Sequence, residues 1–382
     1  MTRRPRRRRH RRGFAAWAGL AALVLVAAGA WLWVLAMPPA PGGAGPPPRP
    51  AVHVGTTVSE QSTKHVTSAV PLGVYAGPGA GAAAAEVDRE LQGHVEYALD
   101  FLAATSWSTI TQPGWLATAW HGASLRIVLG VPMLPLEGAT LAEGAAGAFD
   151  AEFSLLARRL VADGLGTAVL MVGWQPDDEG QRWYVGTEAA ARDYVRYWDR
   201  IERAMAAVPG AHFLFEWDAG DGGTSPLSPA AMYPGNAAVD LVATDAFDHV
   251  ATVRPVVTRW RAVADERYGP AWMASFASAN HKPMAIAMWG EMPVKSGGAG
   301  DDPRFVRGLL SWAASAGMEM CVLWDYGSSA LTGGAYPAAD AALATAVARP
   351  SGTAPPSRGA RAGSERRGTD GGGTGSPYGR RG

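Results

Sequence analysis

The sequence predicts an α/β protein, a (β/α)8 TIM barrel, with a single transmembrane helix ahead of it and a disordered tail behind. Three observations carry this. Short apolar runs recur eight times, helix-patterned segments lie between them, and the composition changes sharply at both ends of the body. The candidate strands are Leu72 to Tyr75, Asp100 to Ala103, Leu125 to Val131, Ala168 to Gly173, His212 to Trp217, Val239 to Thr244, Met284 to Trp289 and Met320 to Trp324. Between them, Phe149, Phe153, Leu156 and Leu160 share one helical stripe, as do Tyr194, Trp198, Ile201 and Met205. In such a barrel the working end is the rim where the strands finish.

The flanks are of another kind. Residues 1–13 are basic, and 14–36 carry no charge and would span about 34 Å as a helix, enough to cross a bilayer. Arginines on the N-terminal side place that end in the cytoplasm and the body outside, on the cell membrane. A cleaved signal peptide and a secreted protein is the alternative. Residues 37–68 form a Pro/Gly-rich linker, 69–348 the barrel, and 349–382 an Arg/Gly-rich disordered tail. The formal net charge of zero hides this division. Eight arginines in residues 3–12 and seven from Arg349 onward belong to the ends, which leaves the body strongly acidic. An acidic body does not suit nucleic acid.

Several chemistries lack a motif. Cys321 is the only cysteine, so no internal disulfide forms. The eight histidines show no ligand spacing, no metal is expected, and no G-x-S-x-G elbow occurs. Gly77-Pro78-Gly79-Ala80-Gly81-Ala82 mimics a dinucleotide loop, but Pro78 removes a backbone N–H that a pyrophosphate would need, so no cofactor is expected.

Tryptophans and carboxylates crowd the expected strand ends. Trp107, Trp174, Trp183 and Trp289 offer flat faces for sugar rings, while Asp245 and Asp325 could bond hydroxyls. Further carboxylates there include Asp177, Asp178, Glu179, Glu216, Asp218, Asp248 and Glu291.

From about Pro71 to Val347 the body resembles glycoside hydrolase family 26, the β-mannanase-like barrels. The matching landmarks are Leu72-Gly73-Val74-Tyr75, Val131-Pro132-Met133-Leu134-Pro135, Gly173-Trp174 with Trp183, Tyr233-Pro234-Gly235, Asp245-Ala246-Phe247-Asp248, Lys282-Pro283 and Trp289-Gly290. The resemblance implies an acid/base glutamate directly after Gly-Trp and a nucleophilic glutamate directly before Trp-Gly. This chain has Gln175 and Met288 there. An amide cannot deliver a proton, and a thioether cannot form the glycosyl intermediate.

The expectation is therefore a membrane-anchored, extracytoplasmic polysaccharide-binding protein for a β-linked hexose polymer such as mannan or glucan. It keeps the family's barrel without its retaining hydrolysis, and Gln175 joins the binding residues. Two alternatives stay open. One is a glycoside hydrolase that uses other carboxylates, with Asp178 and Glu291 as substitutes, and the other is a scaffold in a cell-surface polymer-synthesis or export complex.

Overall fold

The computed structural model describes residues 70–120, 123–249 and 259–348. The basic segment, the expected transmembrane anchor at 14–36, the linker and the tail lie outside the described residues. Among the described residues no helix is long and apolar enough to cross a membrane.

Eight parallel strands close into a barrel in sequence order: β1 (Leu72–Tyr75), β2 (Val95–Phe101), β3 (Arg126–Val131), β4 (Val169–Val172), β5 (Leu214–Asp218), β6 (Leu241–Phe247), β7 (Met284–Gly290) and β8 (Met320–Trp324). Closure is made by β8 on β1, in the register Leu72↔Cys321 to Tyr75↔Trp324. Closing the sheet leaves no edge strand, so the short apolar runs can be covered on both faces.

The second strand lies earlier than the sequence suggests, at Val95–Phe101 and not at Asp100 to Ala103. Glu96 interrupts the apolar pattern because its side chain is exposed near the strand's start. Asp100 also belongs to the strand, where it accepts hydrogen bonds from Trp120 Nε1 (2.9 Å), Gly79 N (3.0 Å) and Phe101 N (2.8 Å). The fifth and sixth strands run on to Asp218 and Phe247, which places Asp245 inside β6.

Helices form the outer layer: α1 (Gly81–Glu90), α2 (Trp107–Thr111), α3 (Gly114–Ala119), α4 (Leu141–Ala145), α5 (Asp150–Ala162), α6 (Glu188–Ala206), α7 (Arg259–Ala264), α8 (Pro270–Ala279), α9 (Pro303–Ala316) and α10 (Pro337–Val347). Two apolar cores result. One lies between strands and helices and holds Phe153, Leu156, Trp198, Ile201 and Phe305, and the other fills the lumen with Leu99, Val128, Met171, Ala243 and Val322.

Helix α6 matters most for the site because its aromatics grip the end of β4. Thr187 caps it by accepting from Ala190 N, and its buried face carries Tyr194, Tyr197 and Trp198. Trp198 Nε1 donates to Val172 O (3.0 Å), Tyr194 Oη to Gly173 O (2.9 Å) and Tyr197 Oη to Met133 O (2.7 Å). The last two bonds satisfy backbone carbonyls that lie beyond the ends of β4 and β3. Gly173 itself has φ +55°, and a Cβ there would stand 2.3 Å from Met133 Sδ. The turn therefore needs glycine on both conformational and steric grounds.

Trp198→Ala removes a fully buried side chain together with its bond to Val172 O, and is expected to lower unfolding stability by about 3–5 kcal/mol. Leu136→Ala, on the exposed surface, is expected to stay within about 0.5 kcal/mol. Urea titration of both variants checks the contrast.

Candidate carbohydrate site at the barrel mouth

Beyond Gly173 the chain turns sharply and carries Trp174 and Gln175 to the C-terminal end of the barrel. Gln175 has φ +49°, a left-handed backbone that costs a non-glycine residue on the order of 1–2 kcal/mol. The turn aims its amide across the lumen, where Nε2 donates to Asp245 Oδ2 at 2.6 Å. Gln181 Nε2 donates in turn to Gln175 Oε1 at 3.4 Å. Met288 pairs with Asp245 across the β6–β7 ladder and is 3% exposed within the lumen core. Gln175, Asp245 and Met288 therefore form one contiguous group.

A collar of aromatic rings surrounds it. Tyr75 packs on Trp324 (centroids 4.3 Å) and Tyr326 (5.6 Å), Phe101 packs on Trp174 (5.0 Å), and Phe247 approaches Trp324 (6.4 Å). Phe101, Trp174, Phe247, Trp324 and Tyr326 are half-buried, so ring surface faces outward. Phe101 lies over Gly130, where a Cβ would meet its ring at 2.3 Å; any larger residue there would displace the ring.

The other expected site residues lie elsewhere or serve this group indirectly. Trp183 is buried and donates Nε1 to Trp174 O at 2.7 Å, with its ring edge-on to Trp174 at 4.8 Å, so it supports the collar from behind. Trp107 packs on Phe149 (4.7 Å) and Phe153 (5.9 Å) in the layer between α2 and α5. Trp289 is fully buried in the strand–helix core and offers no surface to a ligand. Asp325 is 7% exposed and bound to its own loop, accepting from Thr332 N (3.0 Å) and the Thr332 hydroxyl (2.5 Å). Asp178 accepts from Gly180 N at 2.8 Å and fixes its own turn.

Glu291 is buried in a separate network. Arg259 donates from Nε (2.9 Å) and a terminal nitrogen (2.7 Å) to Asp248 Oδ1, and Asp302 Oδ2 stands 3.5 Å from Arg259 Nε. Burial, then the neighbouring Asp248, raises the Glu291 pKa, so Glu291 is held protonated and can donate to Asp248. This group ties the ends of β6 and β7 to α7 and to the start of α9, away from Gln175.

Of the lumen acids, the sequence marks Asp245 as a site residue and counts Glu216 and Asp218 only among the carboxylates near the strand ends. Leu214 lines the lumen, so period-two alternation along β5 puts Glu216 and Asp218 on the same face. Both are fully buried, and Glu216 Oε1, Glu216 Oε2, Asp218 Oδ2 and Asp245 Oδ1 meet no hydrogen-bond donor. Asp177, directly before the expected Asp178, is the buried member of that pair. It accepts from Gly222 N (3.1 Å) and Gly223 N (2.6 Å) and so clamps the loop after β5.

Burial pushes Asp177 up to about 8, with Asp221 and Asp218 adding repulsion. Burial also raises Asp218 and Asp245, and each gains from neighbouring aspartates. Glu216 is raised by burial and then by Asp218. Burial raises Asp100 to about 6 against the pull of its three hydrogen bonds. A cavity of about 310 Å³ opens at the opposite end of the barrel, beside Arg126, Asp163 and Thr167, and takes no residue from this rim.

A closed barrel with aromatic rings and acids gathered at its strand ends has its candidate site at the face where such barrels carry theirs. Its fold resembles that of solved family 26 enzymes. The catalytic domain of the Bacillus sp. JAMB-750 family 26 endo-β-1,4-mannanase is 13% identical, over 73% of this chain and 85% of that one, with a TM-score of 0.50. A Cellulomonas fimi endo-β-1,4-mannanase double mutant is 13% identical, over 74% and 71%, with a TM-score of 0.53. GH26C from a Muricauda species is 11% identical, over 73% and 85%, with a TM-score of 0.53. No sequence-family model matches the chain, and no curated protein matches it.

A carboxyl whose pKa is higher in the folded state stabilises the fold below its unfolded value, near 4, and that contribution is lost as pH rises through the folded value. For Asp100 and Asp177 the loss runs through about 6 and about 8. The thermal midpoint is therefore expected to fall from about pH 5 to about pH 9, and Asp177→Asn is expected to flatten the decline. A midpoint that rises over this range contradicts the assignment.

Proposed function

We propose that the chain is an extracytoplasmic polysaccharide-binding protein, held at the cell membrane by residues 14–36. Its family 26-like barrel takes a β-linked hexose polymer at the aromatic mouth and does not perform the retaining hydrolysis of that family. The observation that carries this is the Gln175–Asp245 hydrogen bond beside Met288. An amide that donates to a buried aspartate cannot also protonate a leaving oxygen. A thioether in the lumen cannot form a glycosyl intermediate or stabilise an oxocarbenium ion.

Binding is supported by the half-buried rings of Trp174, Trp324, Phe247 and Tyr326, which can stack on the apolar faces of sugar rings. Hydrogen-bonding capacity is supplied by Gln175, Gln181 and Asp245. Mannan is a natural first ligand to try, since the similar structures include endo-β-1,4-mannanases. A hydrolytic reading through Asp178 and Glu291 meets a turn contact of Asp178 with Gly180 N and the burial of Glu291 beside Asp248, and Asp218 and Asp245 are further carboxyls it could draw on.

The purified full chain is expected to retain β-mannan or mixed-linkage glucan in affinity electrophoresis and to release no reducing sugar. Trp174→Ala is expected to weaken retention about tenfold, corresponding to about 1.4 kcal/mol of lost stacking. Turnover that disappears in Asp245→Asn would overturn the non-hydrolytic reading, and failure to retain any polysaccharide would overturn binding.

A further inference from the structure

We propose that the saccharide taken up at this mouth carries free amines, and that the lumen carboxyls of Asp218 and Asp245 seat the ammonium of an amino sugar. The inference rests on the polysaccharide-binding reading and narrows its ligand class. Asp218 and Asp245 come from neighbouring strands, and each has one accepting atom, Asp218 Oδ2 and Asp245 Oδ1, that is enclosed and meets no donor. Glu216 lies deeper on the same face of β5, with both oxygens equally unmet. Asp177 and the half-buried Asp221 lie near enough to add repulsion.

Burial favours the neutral form of these carboxyls, and an ammonium beside them would favour the ionised form, which only accepts hydrogen bonds and brings no positive charge of its own. The charges bearing on Asp218 and Asp245 are those of other aspartates. His249, which bears on Asp221, is itself held by Glu266 at 3.1 Å. The Asp248 network also leaves Asp248 Oδ2, Asp302 Oδ2 and both Glu291 oxygens without a donor, but there Arg259 brings a counter-charge that the lumen group lacks. Among the described residues no group of three or more His, Cys, Asp or Glu side chains is spaced to hold a metal ion. An organic cation would complement the ionised form of these carboxyls.

A sugar hydroxyl can donate one hydrogen bond and leaves the field uncompensated. An ammonium brings three donors and a full charge, and such charge-assisted bonds are about twice as strong as neutral ones. Gln175 Nε2, at 2.6 Å from Asp245 Oδ2, already places one nitrogen donor on this carboxyl, and Oδ1 is left for a second. Stacking of the ring on half-buried Trp174 or Trp324 would hold an amine substituent toward the lumen. Acetylation of that amine would remove its charge and two of its donors and add bulk, so the site should reject the acetylated sugar.

The test is calorimetric titration of the full chain with β-1,4-linked hexamers of glucosamine, N-acetylglucosamine and mannose. The glucosamine hexamer is expected to bind at least about tenfold tighter than either neutral hexamer, and Asp245→Asn and Asp218→Asn are each expected to remove that advantage. If either variant fails to fold by circular dichroism, comparing the free and acetylated hexamers on the unaltered chain decides the matter. Equal affinity for all three hexamers overturns the amino-sugar assignment and leaves polysaccharide binding standing. Glucosamine binding that persists in both folded variants also overturns it, as adsorption to an acidic surface. Binding of none of the three overturns it as well; retention of mannan or glucan then decides separately whether the polysaccharide reading stands.

Discussion

The hydrogen bond from Gln175 to Asp245 is the constraint around which the mouth of this barrel is arranged. It joins the loop after β4 to the middle of β6 across the lumen, and it exists only because Gly173 and Gln175 both hold left-handed backbones. That strain is sustained from behind by Trp198 and Tyr194 of α6, which bond the carbonyls of Val172 and Gly173, and by Trp183, which bonds Trp174 O. A glutamate at position 175 would bring a second carboxyl onto Asp245, and two such groups would have to share a proton. Glutamine removes that conflict, so the identity of residue 175 and the depth of Asp245 belong together.

The two acidic groups near the rim differ in how they meet the cost of burial. Asp248 and Asp302 share Arg259, and Glu291 is held neutral beside them, which makes a closed structural fastening between strands and helices. The lumen acids have no such cation and are raised by burial and by one another. Buried like charges are costly unless protonated or paired, so these carboxyls rest toward the neutral form, which a cation from outside would convert to the ionised one. A chain selected only to fill its barrel would more simply carry apolar side chains at Glu216, Asp218 and Asp245.

Most of the barrel was legible in the sequence because buried parallel strands read as apolar runs. β1 and β8 fall where the pattern places them, while β2 was displaced because Glu96 and Asp100 interrupt its run. The site was less legible. Gln175, Met288 and Asp245 come together as their strand ends suggest, yet tryptophan also serves the core, and nothing local separates Trp174 at the mouth from Trp107 under α5 or Trp289 behind β7. Irregular pairing at Thr244/Asp245 and Ile286/Trp289 puts both Ala287 and Met288 in the lumen, so simple alternation fails there. Along β5 alternation holds, and Leu214 could have marked Glu216 and Asp218 as inward-facing.

The central claim is that this mouth holds a saccharide whose glycosidic bonds it leaves intact. Its most direct test is mass spectrometry of an oligosaccharide hexamer recovered from the full chain after prolonged incubation in heavy-oxygen water. The expected result is the intact hexamer bound to the protein, with no shorter fragments and no heavy oxygen beyond a protein-free control. Shorter fragments carrying heavy oxygen at their new reducing ends would contradict it.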